Sequence, residues 1–502
     1  MRSFYYVLSF AAFVLIAACS TSPEKTEVYQ EPYRPQYHFS PDSMWMNDPN
    51  GLVYDGEQYH LFYQYHPNDI VWGPMHWGHA TSKDMVKWEH QPIALFPDEH
   101  GTIFSGSAVM DLNNTSGLGT PETPPMIAIF TYHDAEAAER KEADFQTQGM
   151  AYSLDKGVTW TKYADNPVID NPGYIDFRDP KIFWHEASAS WILALVAGDH
   201  LQLYRSDNLI DWKLSSTFGH EVGAHGGVWE CPDLFSLEVN GETHWVLLIS
   251  INPGGPNGGS ATQYFIGDFD GETFSSDQTA IRWVDYGPDN YAGVTYNNTP
   301  DDSRLFIGWM SNWQYAQNTP TQRWRSASTL PRTLHLKEVD GELVLQNTPI
   351  KALEQLKTPQ QVDFESVSLA NVLDLPSDQA HIRLRLEASV AEFEIHSQKS
   401  EKIHLQVDRS KGHLVIDRSQ SGRTDFSEAF SKPIVIDYLE SSSDEMTIDL
   451  WLDRSSLEVF VNDGTASATV VYFSEEPMNS LHSDDFGKGL SIQEVSEIDR
   501  IW

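Results

Sequence analysis

The stretch "YHLFYQY", residues Tyr59 to Tyr65, is a short apolar run rich in aromatic side chains, and similar runs recur along the chain. The others are "MIAIFTY" (126–132), "WILALVA" (191–197), "HWVLLIS" (244–250) and "RLFIGWM" (304–310), and successive starts lie 53 to 67 residues apart. Runs of this length that are rich in β-branched and aromatic residues predict strands buried on both faces. The chain therefore repeats one buried-strand unit five times.

A second series of motifs overlays the first one. Each of its members leads from a serine through an aspartate-bearing turn to a tryptophan, namely "SKDMVKW" (82–88), "SLDKGVTW" (153–160) and "SDNLIDW" (206–212). Two series in phase at about 60 residues indicate repeated units that cannot bury their own faces alone. Because no window keeps a 3.6-residue apolar period, helical repeats are disfavoured, and five four-stranded units around an axis predict a five-bladed β-propeller.

The pattern changes after residue 360. Segments such as "KIHLQVD" (402–408) and "HLVIDRS" (413–419) alternate polar and apolar residues, which is typical of sheets with one solvated face. These segments predict a β-sandwich packed against the propeller, so the fold class is all-β. The predicted organisation is a signal peptide (1–18), a tether (19–35), the propeller (36–345), a linker (346–360) and the sandwich (361–502).

The first residues predict export. Arg2 precedes an apolar run from Phe4 to Ala18 that is too short for a comfortable membrane span. The end of this run resembles the lipobox of bacterial lipoproteins, in which Cys19 would be lipidated, and a plain signal peptide is the alternative. A location in the bacterial cell envelope follows, with the periplasmic and outer sides both open. Cys231 is the only other cysteine, so a lipidated Cys19 leaves no pair for an intramolecular disulfide.

The charge balance restricts the partners of the protein. There are 72 acidic and 33 basic residues, which give a formal net charge of −39. This charge argues against nucleic acid and anionic membrane surfaces as partners, so any membrane contact is expected only through the lipid on Cys19. A neutral substrate would not be repelled, and an acidic surface is also typical of a saline habitat.

Three acids precede the first strands of their units. They are Asp48 in "WMNDPNG" (45–51), Asp179 in "FRDPKIFW" (177–184) and Glu230 in "WECPD" (229–233). Each motif alone is typical of a turn or a surface strand entry, but all three share one position in the repeat. The first strands of propeller blades line the central channel, so these acids are expected to meet at one mouth. Mutual repulsion would then separate their protonation states, as glycosidic cleavage requires.

The motifs "WMNDPNG", "RDP" and "ECP", in this order, resemble the three acidic motifs of glycoside hydrolase family 32, the fructan hydrolases and invertases. The similarity extends through "FSGSAV" (104–109) to "LDRSSLEVFVNDG" (452–464) in the predicted sandwich. This resemblance implies a propeller followed by a sandwich, and a retaining hydrolase that releases terminal fructose. It also implies that Asp48 is the nucleophile, that Glu230 is the general acid and then the base, and that Asp179 holds fructosyl hydroxyls.

The same resemblance implies a fructosyl pocket. Its expected members are Trp45, Asn47, Gln64, Trp72, Phe104, Ser105, Arg178, Cys231 and Trp313. Arg178 is expected to hold Asp179, and the thiol of Cys231 is expected to bond a carboxylate and tune the acid. The loop "DIVWGPMHW" (69–77) resembles that of exo-acting members. No cofactor or metal is expected, because His60, His66, His76 and His79 lack the paired-cysteine or helical spacing of zinc sites.

Several alternatives stay open at this point. Endo-cleavage and fructosyl transfer would use the same acids, and levan, inulin and sucrose are all candidate substrates. A glycan-binding lipoprotein on an inactive propeller is the alternative from a different class. A sialidase is disfavoured, because it would need an arginine cluster for its substrate carboxylate. The sequence does not indicate an oligomeric state.

Overall fold

Most of the chain is β-strand. The computed structural model describes residues 29–438, 443 and 445–502, and the strands in these residues form seven sheets. The predicted signal peptide and the lipidation site Cys19 lie outside the described residues. No helix in the described part of the chain is long and apolar enough to cross a membrane.

The first five sheets follow one another along the chain, and all their strand pairs are antiparallel except one short pairing in the first sheet. The first sheet has β1 (Met44–Tyr54), β2 (Tyr59–His66), β3 (His76–Ser82) and β4 (Trp88–Leu95). The second has β5 (Thr102–Met110), β6 (Met126–His133), β7 (Gln146–Ser153) and β8 (Thr161–Lys162), with the short helix α1 (Ala135–Glu139) between β6 and β7. The third has β9 (Phe177–His185), β10 (Ser190–Ala197), β11 (His200–Ser206) and β12 (Lys213–Phe218). The fourth has β13 (Val228–Val239), β14 (Glu242–Asn252), β15 (Ala261–Phe269), β16 (Phe274–Ser275) and β17 (Arg282–Trp283). The fifth has β18 (Tyr291–Thr295), β19 (Arg304–Met310), β21 (Ala327–Ser328), β22 (Arg332–Val339) and β23 (Glu342–Pro349), while β20 (Trp324–Arg325) pairs in parallel with β1.

The first strands of these sheets form a closed ring. β1 contacts β5, β5 contacts β9, β9 contacts β13, β13 contacts β18, and β18 contacts β1 again. Asn297 ties the ring at the end of the strands, because its side chain donates to the carbonyls of Ala108 (2.8 Å) and Ile182 (3.0 Å). Its backbone also bonds Leu52 and Tyr54, each at 3.0 Å. This arrangement is the predicted propeller, with five sheets as its blades.

Both sequence series have structural counterparts in the blades. The run in β10 is buried along its whole length and packs between neighbouring blades. In the second series, Ser153 donates to Asp155 (2.7 Å), and the backbone N–H of Thr159 donates to the same carboxylate (2.8 Å). The ring of Trp160 closes this turn by donating to the carbonyl of Gly157 (3.1 Å). The serine-to-tryptophan motif is thus a self-contained turn that ends in a packed aromatic ring.

The remaining two sheets form the predicted sandwich. Their elements in chain order are β24 (Lys357–Pro359), α2 (Phe364–Ala370), β25 (Val372–Asp374), β26 (Ala380–Leu386), β27 (Val390–Ser397), β28 (Lys402–Asp408), β29 (His413–Gln420), β30 (Ile434–Asp437), β31 (Met446–Asp453), β32 (Ser456–Val461), β33 (Ala466–Val471), β34 (Met478–His482) and β35 (Leu490–Ile498). The strand orders are β24-β35-β26-β31-β32-β33 and β25-β34-β27-β28-β29-β30. Alternate residues of β28 are buried, and they face one shared apolar core between the two sheets.

Two predicted boundaries need correction. The sequence predicts a tether through residue 35, but Arg34 is fully buried and donates to the carbonyls of Pro41 (2.6 Å) and Asp42 (2.9 Å). The ring of Tyr29 stacks on Trp502 with centroids 4.1 Å apart, so the packed chain already includes residue 29. The predicted linker 346–360 is also structured, because its start completes β23 and its end forms β24, which pairs with β35.

Buried charges connect the two sheet systems. Arg332 of the propeller donates to Glu458 of the sandwich (2.5 Å) and to Asp285 (2.8 Å). His38 lies 2.8 Å from a carboxylate oxygen of Asp453 and 3.0 Å from one of Glu458. Although burial opposes it, hydrogen bonds with these two carboxylates raise the pKa of His38 to about 9. The N-terminal segment therefore holds the sandwich through a protonated histidine.

Candidate active site

Each first strand of the propeller carries a β-bulge at the same height. In each blade, a step of three residues along the first strand pairs with a step of two residues along the second strand. The last regularly paired residues before these bulges are Met46, Ile103, Arg178, Glu230 and Tyr291. Bulges bend a strand and re-aim its side chains, and three bulged residues, Asp179, Cys231 and Ala292, have positive φ angles of 66°, 46° and 54°. Pro180 and Pro232 occupy equivalent bulge positions, where a missing N–H does not interrupt the ladder. The motifs "RDP" and "ECP" thus encode the same bulge in two blades.

Asp48 is the second residue of the bulge in β1, and its carboxylate accepts three hydrogen bonds. Ser105 donates from the neighbouring blade (2.7 Å), Asn47 donates from the adjacent position (3.0 Å), and the thiol of Cys231 lies 3.6 Å away. Burial raises the pKa of Asp48 to about 6, and the charge of Glu230 acts in the same direction, while the three donors oppose it. Asp48 is therefore a pre-oriented carboxylate in a site that disfavours its charge.

Asp179 lies across the ring from Asp48 and is buried, with 5% of its surface exposed. The backbone N–H of Cys231 donates to it at 3.0 Å, and the Cys231 thiol lies 3.6 Å from the same oxygen. Burial raises the pKa of Asp179 to about 7, Arg178 opposes this, and the charges of Glu230 and Asp48 add to it. Cys231 therefore bridges two acids and cannot ionise easily itself, since burial raises the pKa of its thiol.

Glu230 is held by two donors from different blades. Arg178 donates through Nε (3.1 Å) and Nη2 (3.0 Å) to one carboxylate oxygen, and the hydroxyl of Tyr291 donates to the other. Arg178 also donates to Asp176 (2.5 Å), whereas its Nε is 4.0 Å from Asp179. Arg178 thus lies within ion-pair distance of Asp179, while its hydrogen bonds go to Glu230, Asp176 and Gln146 (3.4 Å).

The remaining predicted residues divide into a lining and a supporting group. Trp72 is 40% exposed and meets the half-buried ring of Phe104 edge-on, with centroids 6.1 Å apart. Trp313 is also half-buried and stacks on Trp45 at 5.9 Å. Phe104 precedes Ser105, which bonds Asp48, and Trp45 bonds Asn47, so these partly exposed rings lie beside the acids, where they suit the apolar face of a sugar ring.

The supporting group is almost entirely buried. Trp45 has no exposed surface and donates from its ring to Asn47 (2.7 Å), which in turn donates to Asp48. Gln64 is 2% exposed and donates to Asn50 (2.7 Å) and to the carbonyl of Ile103 (3.0 Å). We infer that Trp45 acts on substrate only through Asn47, since a fully buried ring offers no face to a sugar.

Sequence reasoning missed two residues of the site. Tyr291 is buried and bonds Glu230, and Asp176 bonds Arg178. Tyr291 stands in "DNYAGVTY" (289–296), which is the fifth-blade counterpart of the acidic motifs, so the repeat itself was the signal that could have identified it. Asp176 carries no comparable signal, because its contact depends on the bent path of β9.

Comparisons with known proteins identify the family of the chain. Residues 38–347 match the model of the glycosyl hydrolases family 32 N-terminal domain, and residues 349–498 match that of the family 32 C terminal domain. A levanase of Bacillus subtilis (strain 168) is 45% identical over 507 residues, covering 97% of this chain and 74% of its own. An extracellular exo-inulinase of Aspergillus niger is 41% identical, covering 93% and 94%.

Solved structures show the same fold. The exo-inulinase from Aspergillus awamori superposes with a TM-score of 0.84 at 36% identity, covering 94% of this chain and all of its own. A fructofuranosidase from Schwanniomyces occidentalis, complexed with fructose, gives a TM-score of 0.83 at 33% identity, covering 95% of this chain and 100% of its own. Because the two domain models of this family together match residues 38–347 and 349–498, the chain belongs to family 32 of the glycosyl hydrolases.

Proposed function

We propose that the protein is a retaining, exo-acting fructan hydrolase. The observation that carries this proposal is the convergence of Asp48, Asp179 and Glu230, from three blades, around the thiol of Cys231 and the fork of Arg178. The names levanase and exo-inulinase of its relatives support the substrate class. Initial rates on levan, inulin and sucrose measure which of the three substrates the protein prefers.

The chemistry follows from the roles of the three acids. Glu230 gives its proton to the glycosidic oxygen while the bond from that oxygen to the anomeric carbon breaks. Asp48 captures the anomeric carbon as an ester, and Asp179 accepts hydrogen bonds from ring hydroxyls as positive charge develops. Water then attacks the same carbon, gives a proton to Glu230 and releases Asp48, so all groups return to their starting state.

Exo-action is supported by the fixed loop around Trp72. His66 bonds the carbonyl of Val71 at 2.8 Å, and Gly73 lies so close to the His66 ring that an added Cβ would be 2.4 Å from it. The loop therefore stands as a wall beside Phe104, which suits a pocket for one terminal residue. Fructose as the sole early product from levan and inulin would support exo-cleavage, whereas a ladder of oligomers would indicate the endo-acting alternative.

Chemical rescue tests the mechanism directly. Glu230→Ala should lose activity on fructan but recover turnover of an aryl β-fructofuranoside when azide is added, giving a fructosyl azide of retained configuration. Asp48→Ala should give the inverted azide or none. An inverted product from the Glu230 variant would refute the assignment, and wild-type protein that binds fructan without turnover would support the glycan-binding alternative. Added sugar acceptors would measure the fructosyl-transfer alternative in the same assay.

We also propose export and anchoring through Cys19. The supporting observations are the lipobox-like sequence and the word extracellular in the names of exo-inulinase relatives. Labelling with a radioactive fatty acid should mark the wild-type chain and not Cys19→Ala, and the variant should appear in the soluble fraction. Equal labelling of both would contradict this proposal.

A further inference from the structure

A hollow of about 640 Å³ opens beside Asn297, and residues of the second, third, fourth and fifth blades line it. It is bordered by the ends of β9 and by the middle of β13, whereas Asp179 and Glu230 lie near the starts of these strands. At ~3.3 Å per strand residue, His185 lies roughly 20 Å along β9 from Asp179, and the buried Asp233 lies roughly 10 Å along β13 from Glu230. Asn297 bonds the strand ends beside the hollow, so the two sites open at opposite ends of the ring. Its volume lies within the range of small-molecule sites.

Aromatic rings form much of its wall. Phe183, Trp184 and Trp245 are half-buried there, so each ring is fixed by packing and still has free surface. Trp245 packs against Phe183 at 5.8 Å and Phe269 at 4.9 Å between ring centroids. Rigid, partly exposed rings are the surfaces on which sugar rings pack, because their binding costs little conformational entropy.

Arg304 lines the same hollow with its guanidinium group. Its guanidinium lies 5.7 Å from the centre of the Phe235 ring, and its Nε donates to the carbonyl of Ser236 at 3.4 Å. Within the described residues, neither terminal nitrogen has a hydrogen-bond or ion-pair partner, although the side chain is half-buried. A positioned guanidinium with free N–H groups is available to donate to an incoming ligand.

Acceptors stand beside this donor. Asp233 is fully buried and accepts at Oδ2 from the backbone (2.6 Å) and hydroxyl (2.8 Å) of Thr295 and from Lys181 (3.1 Å). Its Oδ1 has no hydrogen-bond partner among the described residues and no accessible surface, so Asp233 contributes buried negative charge and not a ligand contact. The exposed side chains of Asn113 and Thr243 also line the hollow. The site therefore combines donors, acceptors and aromatic faces, which are the three features that a polyhydroxy ring uses.

We propose that this hollow is a second carbohydrate-binding site that holds a fructan chain away from the catalytic pocket. Anions are disfavoured, because Glu186, Asp270, Asp302 and Asp233 line the same hollow as the Arg304 guanidinium and outnumber it. A metal ion is disfavoured by that guanidinium, and the described residues contain no cluster of three or more His, Cys, Asp or Glu side chains that could hold one. The identity of the sugar as fructan rests on the proposed function, whereas the existence of the site does not.

Calorimetry on the full chain tests the site. Asp48→Asn should bind an inulin-type or levan-type oligosaccharide at two sites, and Asp48→Asn with Arg304→Gln should keep one. Trp184→Ala, combined with Asp48→Asn, should lose the same site, so the test does not depend on one variant. Asp48→Asn with Arg423→Gln serves as the matched control, because Arg423 is an exposed arginine of the sandwich paired with Asp425. If the Asp48→Asn variant bound the oligosaccharide at only one site in this titration, the proposal would be overturned.

Kinetics separate this inference from the proposed function. Arg304→Gln in the active enzyme should leave kcat and KM on a fructan trisaccharide unchanged and raise KM on the polymer by about fivefold, since a second attachment point raises the local substrate concentration. Unchanged KM on the polymer would overturn the proposal. Failure of the wild-type chain to cleave any fructan, with the Arg304-dependent sugar binding intact, would refute the proposed function and leave the second site supported.

Discussion

At the scale of single residues, the catalytic ring concentrates charge where charge is disfavoured. Burial raises the pKa of Asp48 to about 6 and that of Asp179 to about 7, so each carboxylate is less stable when ionised than it is in the unfolded chain. A folded pKa above the unfolded value means that ionisation lowers the stability of the native state at neutral pH. Function and stability therefore oppose each other at these two positions.

Asp48→Asn should separate these two effects. We expect activity to fall by about 10³-fold or more, because the nucleophile is lost, and the free energy of unfolding at pH 7 to rise by roughly 1–3 kcal/mol. Denaturant unfolding and initial rates measure the two quantities. Asp55→Asn is the control, because, although burial opposes it, the adjacent His60 (3.2 Å) and hydrogen bonds from two backbone N–H groups lower the pKa of Asp55 to about 2. That variant should be destabilised, and a stabilised one would contradict this account.

Ser105→Ala should change the pH dependence of the reaction. Ser105 donates to Asp48, and this hydrogen bond lowers the pKa of a carboxylate that must be ionised to attack. Loss of the donor should move the acidic limb of kcat/KM upward from about pH 6, by about 0.5–1 unit. Ser107→Ala is the matched control on the same strand, since Ser107 donates to the carbonyl of Pro180 and not to Asp48. Equal limbs in all three proteins would refute the assignment.

At the scale of elements, the five coincident bulges decide where the acids point. Asp48, Asp179 and Glu230 stand at three different positions relative to their bulges, which allows strands related by rotation to aim carboxylates at one centre. A bulge is a mismatch between two strands, so a motif such as "RDP" or "ECP" can mark where a bulge lies but does not fix the direction in which each side chain points. The sequence therefore predicted which strand starts converge but not how each side chain is turned.

The contribution of Asn297 to closing the ring of blades can be measured with a single variant. Its side-chain NH₂ donates to the carbonyls of Ala108 and Ile182, which belong to two different blades. Asn297→Ala should leave both carbonyls unpaired and lower the free energy of unfolding by roughly 2–4 kcal/mol. Asn113→Ala is the control, because Asn113 is exposed and should change stability by less than about 0.5 kcal/mol. A mild effect at Asn297 would show that packing alone closes the ring.

At the scale of the whole molecule, buried ions join the propeller, the sandwich and the N-terminal segment. His38 stands between Asp453 and Glu458, and Arg332 reaches Glu458 from the propeller side. The apolar periodicity predicted both sheet systems, because each buries its own core. It did not predict this junction, since buried ion pairs between distant segments leave no period in the sequence.

The junction should make stability depend on alkaline pH. The folded pKa of His38, about 9, exceeds the ordinary histidine pKa of 6.5, so its contribution is complete below about pH 6.5 and is lost as the pH rises through about 9. We expect the wild type to lose about 3 kcal/mol more than His38→Gln between pH 6 and pH 10. Denaturant unfolding at pH 6, 8 and 10 measures this difference. Parallel curves for the two proteins would contradict it.

The stacking of Tyr29 on Trp502 has a consequence for topology engineering. The N–H of the Trp502 ring also donates to the carbonyl of His38 at 3.1 Å, so the two ends of the described chain meet on one face. A short peptide could join them, and the chain could be reopened between the exposed residues Pro121 and Glu122. Such a circular permutant would keep every blade interface and place its new termini in a surface connection of the second blade.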